Sequence, residues 1–494
     1  MSTPFASREA EAIHLMRAGR LAEALRLAEQ SVAGKTSCSP AHVLLATILL
    51  RLGRAGDAED TVERALNLTG GTAEDYAALA YVSTTLSRHE RANSLYRHAT
   101  QLDPNVAGHW YNLAWSERSF GRLEQAEVAC DRAIALDPVD HRAYLLRAEL
   151  RVQTAAANHV PQLRRELARS NLTDSGRVLL GYALGKELDD LGQYDEAFGC
   201  FALAALARRR NLRYDVAADE RQLQRIADSF PRAAARTAGG GESSRFIFIV
   251  GLPRSGTTLL ERILTGLPGV RSNGESDYFG RALLAAAPGR AAADGSAQDV
   301  PARRAASDWD AVAAGYVRLA DPAGSRSTII EKLPLNYLHL GAIHRALPQA
   351  RLVVVSRSAL DVCFAMYCTL FAEAYPFSYD LRELARYYAA YARLMDHWRD
   401  AIGAAIHDVR YEDLAADPLR VGAAAARFCG LEWQDAAVQI ENNAAVCLTQ
   451  SAAQVRRPIY RSSTARWRGY RAHLAPLIET LREQGVNLPE LDSE

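Results

Sequence analysis

Residues 246–264 read Phe246-Ile247-Phe248-Ile249-Val250-Gly251-Leu252-Pro253-Arg254-Ser255-Gly256-Thr257-Thr258-Leu259-Leu260-Glu261-Arg262-Ile263-Leu264. Five apolar residues, a Gly/Pro loop and an amphipathic stretch opening on two threonines predict a strand–loop–helix unit. Such a unit gathers backbone N–H groups and a helix N-terminus around one point, which draws phosphate-like anions. Gly251 and Gly256 keep the glycine spacing of the nucleoside-triphosphate loop, but Thr257 stands where its lysine belongs. The loop therefore predicts a nucleotide ligand used otherwise than ATP.

Downstream of this loop, strands are expected at 246–250, 328–331, 351–356 and about 406–410, with a long helical stretch near 380–400. The runs around 248 and 353 are continuously apolar, as in a parallel sheet buried on both faces. The expected architecture is an α/β domain with its ligand at the carboxyl ends of the strands. Residues 231–244, rich in Ala, Gly and Ser, read as a linker, and 284–307 as a loose surface insertion.

Upstream, the chain repeats itself. Ala24, Ala58, Ala92 and Ala126 recur every 34 residues, in the frames Gly-Arg-Leu-Ala-Glu-Ala, Gly-Arg-Ala-Gly-Asp-Ala, Ser-Arg-His-Glu-Arg-Ala and Gly-Arg-Leu-Glu-Gln-Ala. Ala65, Ala99 and Ala133 recur behind them, Pro104 and Pro138 close two of the units, and Ser31 breaks the pattern in the first. This helix–turn–helix period resembles the tetratricopeptide repeat, in which small residues let paired helices approach and stack into a curved solenoid. A fifth unit at Gly192–Ala197 is out of phase by three residues, behind a degenerate helical segment at about 142–180. The fold class expected is an N-terminal all-α tetratricopeptide-repeat solenoid plus a C-terminal α/β P-loop-like domain with a mostly parallel sheet. Its boundaries are 1–230 for the solenoid (repeats near 8–140, the last to about 210), 231–244 for the linker and 245–494 for the α/β domain.

Composition bounds the partners. The 494 residues are 49% hydrophobic and 23% charged, with a formal net charge of zero. A non-specific polyanion binder is normally basic, so no nucleic acid is expected and any anion site is local. No apolar run reaches membrane-span length. The N-terminus lacks the apolar core of a secretion signal, and seven scattered cysteines without a C-x-x-C pair fit reduced thiols, so a cytoplasmic setting is expected. No metal-ligand spacing is present. Lysine occurs only at Lys35, Lys186 and Lys332, so 55 of the 58 basic residues are arginine. A lysine kept against that bias marks a role that arginine does not fill.

The site candidates follow from the strands. The hydroxyls of Ser255, Thr257 and Thr258 and the amides around Gly256 suit a 5′-phosphate-type group, with Arg254 as a cation beside it. Arg357 ends the strand 351–356 and faces either a second phosphate or a surface ion pair. Glu275 in Asn-Gly-Glu-Ser is either a general base or an exposed loop glutamate. Lys332 ends another strand, placed to stabilise a departing oxygen, and on its own is an even choice.

With Tyr411-Glu412-Asp413-Leu414, these residues resemble sulfotransferases that use 3′-phosphoadenosine 5′-phosphosulfate (PAPS). The segment Thr449–Tyr460, followed by Ala465-Arg466-Trp467, is similar to the tyrosylprotein branch, and more so to bacterial fusions of tetratricopeptide repeats with such a domain. The resemblance implies that Arg254, Ser255, Gly256, Thr257 and Thr258 hold the 5′-phosphosulfate, that Arg357 binds the 3′-phosphate and that Tyr411 packs near the adenosine. It implies that Glu275 is the base, that Lys332 and Ser451 act with Arg254 on the transition state, and that the loop with Ser451, Gln454, Val455 and Arg456 closes over the nucleotide. Arg466 replaces a lysine that helps hold PAPS. Two departures are Ala365, where the family has a serine, and Thr369, where the tyrosylprotein enzymes have an arginine, which leaves the 3′-phosphate to Arg357 with Ser358 or Arg456. The implied activity is sulfuryl transfer without a metal to an acceptor hydroxyl. The acceptor is a peptide or protein tyrosine docked with help of the repeats, or alternatively a carbohydrate, lipid or small molecule with the repeats used for assembly. An oligomer stays open. A P-loop kinase or NTPase is disfavoured by Thr257 and by the lack of an acidic metal-binding strand.

Overall fold

The structure, a computed structural model, describes residues 4–33, 40–68, 70–230, 244–286, 308–325, 327–371, 374–443, 445–460 and 464–491. The expected linker, apart from Ser244, and the expected insertion from 287 on lie outside the described residues. The chain forms two compact units, Met1–Arg151 and Val152–Glu494.

The first unit is a run of helix pairs. Its described helices are α1 Pro4–Arg17, α2 Leu21–Val32, α3 Pro40–Arg51, α4 Ala55–Leu66, α5 Ala73–Thr85, α6 His89–Leu102, α7 Ala107–Ser119, α8 Leu123–Leu136 and α9 Arg142–Glu149. The periodic alanines are the reason the pairs close. Ala58, Ala65, Ala99 and Ala126 are fully buried, and Ala92 and Ala133 nearly so, each where a longer side chain would hold two helices apart. The Gly-Arg frame sets the turn. Gly19, Gly53 and Gly121 take left-handed φ values of 77°, 75° and 77°, and the arginine that follows starts the second helix of the pair. Ser87 fills this position in the third repeat and is held at φ 59°.

The second unit begins with α10 Val160–Leu167, α11 Asp174–Asp190, α12 Tyr194–Arg210 and α13 Val216–Ser229. Gly192, at φ 73°, repeats the left-handed turn, and Gln193 has the same φ −88° and ψ 63° as Arg54. They share this unit with a five-stranded sheet whose strands are β1 Phe246–Val250, β2 Val270–Ser272, β3 Thr328–Glu331, β4 Arg351–Ser356 and β5 Ile406–Arg410. All neighbours are parallel, in the order β2-β3-β1-β4-β5. The four strands expected from the sequence are present. β2 is additional, a half-buried three-residue edge strand too short to leave a pattern.

Both faces of β1 are covered, which is why it reads as a continuous apolar run. Ile247 and Ile249 join Leu260, Ile263, Leu264, Val353 and Val355 in one core. Phe246 and Phe248 point to the other face, where Tyr316 lies with ring centroids at 5.1 and 5.3 Å. Each such side chain removed from water contributes about 1.5–3 kcal/mol. A parallel sheet brings all its carboxyl ends to one edge, and that edge is where chemistry is sought. No helix of the described residues is long and apolar enough to cross a membrane.

Candidate active site

Each strand delivers at least one group to the carboxyl edge. The loop after β1 carries Arg254 and Ser255, the loop after β2 carries Glu275, β3 is followed by Lys332, β4 by Arg357 and β5 by Tyr411.

The β1 loop needs its glycines. A Cβ on Gly251, at φ +152°, would lie 2.3 Å from the Val355 carbonyl oxygen, and one on Gly256, at φ +102°, would lie 2.4 Å from Cδ2 of Tyr411. Arg254 between them is itself left-handed at φ 67°. The loop leads into α14 Thr257–Thr265, of which residues 257–264 are all buried. The Ser255 hydroxyl is buried without a hydrogen-bond partner among the described residues. A buried donor of that kind, beside a helix N-terminus, suits an anionic oxygen.

Arg254 reaches across to the later loop. Its guanidinium donates to Ser451 Oγ and, at 2.8 Å, to Gln454 Oε1. Arg357 donates to the Arg254 carbonyl oxygen at 3.0 Å and lies over the Tyr411 ring at 4.9 Å. Asp361 stands 3.8 Å from Arg357 and accepts the Ala465 N–H at 2.7 Å, which ties the turn before Arg466 to the same corner.

Lys332 and Glu275 meet directly. The lysine Nζ is 2.5 Å from Glu275 Oε1; the Lys332 side chain is fully buried, while that of Glu275 is 44% exposed. Burial alone would lower the Lys332 ammonium's pKa, but the carboxylates of Glu261 and Glu275 outweigh it and push the value up. The pair is held by β2 and β3 running side by side, where the Lys332 N–H donates to the Gly274 carbonyl at 3.0 Å.

The sequence-derived residues thus fall into two groups. Arg254, Ser255, Gly256, Thr257, Thr258, Glu275, Lys332, Arg357, Tyr411, Ser451 and Gln454 line one edge. The other three are engaged elsewhere. The Val455 side chain is in the apolar core. Arg456 donates to the carbonyls of Asn443 at 2.7 Å and Ala445 at 2.9 Å. Arg466 forms a bidentate pair with Asp189 of α11, which also accepts from the Tyr470 hydroxyl at 2.5 Å. Ser358, considered for the 3′-phosphate, gives its hydroxyl to Glu490 at 2.9 Å. Sequence reasoning missed Glu261, Asp361 and Asp189. Glu261 sits in a stretch that reads as amphipathic, so its burial beside Lys332 shows only once α14 packs on the sheet.

Residues 246–435 match the sulfotransferase family, and residues 15–80 and 78–141 match tetratricopeptide repeats. An uncharacterized protein of Aquifex aeolicus (strain VF5) is 28% identical over 372 residues, 73% of this chain and 48% of that protein. The chain therefore spans about half the length of that relative. Among solved structures, the sulfotransferase domain of the Synechococcus PCC 7002 olefin synthase is 19% identical at a TM-score of 0.34, over 49% of this chain and 95% of that one. A sulfotransferase of Alicyclobacillus acidocaldarius is 18% identical at 0.28, over 49% and 97%. YrrB, described as a TPR protein with an unusual peptide-binding site, is 15% identical at 0.27, over 40% and 98%. At such scores these likenesses add nothing to the sheet order and repeats already described. On the family matches, the chain joins tetratricopeptide repeats to a domain of the sulfotransferase family.

Proposed function

We propose that the protein transfers the sulfuryl group of PAPS to an acceptor hydroxyl, a peptide or protein tyrosine docked with help of the repeats. The observation that carries this reading is the Lys332–Glu275 contact at 2.5 Å, beside an anion loop that lacks its own lysine. A base and a cation side by side at one strand edge suit a reaction in which one oxygen loses a proton and another gains charge. The buried Ser255 hydroxyl and the close-fitted glycines support a phosphosulfate in the loop.

In this mechanism Glu275 takes the acceptor proton as the acceptor oxygen attacks sulfur. The bond between sulfur and the bridging oxygen breaks, and its electron pair stays with adenosine 3′,5′-diphosphate. Lys332 faces that leaving oxygen, and Arg254 and Ser451, already joined, face the sulfuryl oxygens. The transition state of such transfers is loose, so positioning and charge do most of the work. Arg357 is the group offered to the 3′-phosphate. The stacked helix pairs of the repeats offer an extended face for a peptide.

The test is incubation of the purified protein with radiolabelled PAPS and a cell lysate. Label on protein tyrosine is the expected result, and label confined to glycans, lipids or small molecules overturns the acceptor assignment. Glu275→Ala is expected to lower kcat about 10²- to 10⁴-fold while adenosine 3′,5′-diphosphate still binds. Full activity in that variant removes Glu275 from the mechanism.

A further inference from the structure

Lys332 has a second carboxylate. Glu261 Oε2 of α14 lies 3.6 Å from its Nζ, and the Glu261 side chain is only 10% exposed. The other Glu261 oxygen accepts the Ser272 hydroxyl at 2.5 Å, and Ser272 Oγ accepts the Gly274 N–H at 2.9 Å. Glu261 is therefore fixed to the very loop that presents Glu275, and α14 is tied through it to the edge of β2 and β3.

The two carboxylates differ in what the proposed chemistry does to them. When Glu275 takes the acceptor proton its negative charge is gone. A fully buried ammonium is then left without its nearest counter-charge, at the moment when it must stay charged toward the leaving oxygen. Glu261, on α14 and 10% exposed, is not the group to which the acceptor proton is assigned, so its charge is not consumed in the step.

We propose that Glu261 is the standing counter-ion of Lys332, a positioning residue that keeps the lysine charged and in place once Glu275 is protonated. This rests on the sulfuryl-transfer reading for its consequence in turnover, though the ion pair itself does not. The step balances: the proton moves from the acceptor oxygen to Glu275, the new S–O bond forms, the bridging S–O bond breaks, and Lys332 keeps all its protons. The charged and titratable groups around the lysine are Glu261 of α14, Glu275 of the β2 loop and Cys447 of the segment before Ser451, with Arg262 beside Glu261.

The experiment uses the full chain with Glu261→Gln. Because the chain has only three lysines, ε-¹³C lysine labelling gives one resolvable signal for Lys332, assigned by its absence in Lys332→Arg. The Lys332 signal is expected to titrate about one pH unit or more lower in Glu261→Gln than in the wild type. With PAPS and a tyrosyl peptide, kcat is expected to fall about 10- to 100-fold and its alkaline limb to move to lower pH, with KM for PAPS unchanged. Glu261→Asp keeps the charge and is expected to restore most of the titration. An unmoved Lys332 titration overturns the inference, as does a kcat loss with an unmoved alkaline limb. If the wild type transfers nothing from PAPS, the function falls, and the lysine titration alone decides the counter-ion.

Discussion

Glu331 and Lys332 are neighbours in sequence but point to opposite faces, as successive strand residues do. Lys332 turns toward Glu275 and Glu261. Glu331 turns inward, fully buried, and accepts from Asn336 Nδ2 at 2.9 Å. Burial pushes its carboxyl up from 4.5 to about 7, against the lowering hydrogen bond from Asn336. The fold therefore holds this proton more tightly than the unfolded chain does. The stabilisation is complete below the unfolded value and is lost as pH rises toward the folded one. Glu331→Gln stays neutral at every pH, so its stability relative to the wild type is expected to rise between about pH 5 and about pH 8, by about 3 kcal/mol. Thermal unfolding at the two pH values measures this, and a difference that does not change with pH refutes it. At this scale the sequence was partly legible. Glu275 and Lys332 stood out by loop context and by the rarity of lysine. The second partner of Lys332 was not legible, because Glu261 and Ser272 reach it only through the packing of α14 on the sheet.

At the scale of elements, the repeats were the most readable part, since a small residue every 34 positions has one physical use, close helix approach. The third repeat also shows where the pattern is forced. Ser87 takes φ 59° in the turn where the other four units have glycine, a conformation that costs a residue with a Cβ about 1 kcal/mol. Ser87→Gly removes that strain and gives back part of it as extra freedom of the unfolded chain, for an expected net gain of up to about 0.5 kcal/mol. Denaturant unfolding of the full chain reads the shift in midpoint, and a loss of stability shows that Ser87 is held for its side chain instead. β2 was the element the sequence did not disclose. Three half-buried residues carry no alternation to recognise, yet its pairing with β3 is what brings Glu275 to Lys332.

At the scale of the whole molecule, helices α11–α13 include one repeat-like turn, at Gly192, but belong to the compact unit that contains the sheet. Their contacts are specific: the Tyr182 hydroxyl donates to the Tyr367 carbonyl at 3.3 Å, Arg209 pairs with Glu383 at 2.7 Å, Arg386 pairs with Glu220 at 2.6 Å, and Asp189 holds Arg466. None of these partners is close in sequence, so the linear pattern carried no sign of them. The family match begins only at residue 246, yet Asp189 fixes an arginine in the segment that follows Ser451. A ligand that binds only the folded unit stabilises everything that unfolds with it, by about 2.7 kcal/mol at a hundredfold excess over Kd. On the proposed sulfuryl-transfer reading, adenosine 3′,5′-diphosphate at that excess is therefore expected to slow hydrogen exchange of the most protected amides of α11 and α12 about 100-fold, as much as those of β1 and β4. Slowing in β1 and β4 with α11 and α12 unchanged would show that these helices unfold on their own. Asp189 would then hold Arg466 only as a surface contact, and donor binding would be a property of the α/β part alone.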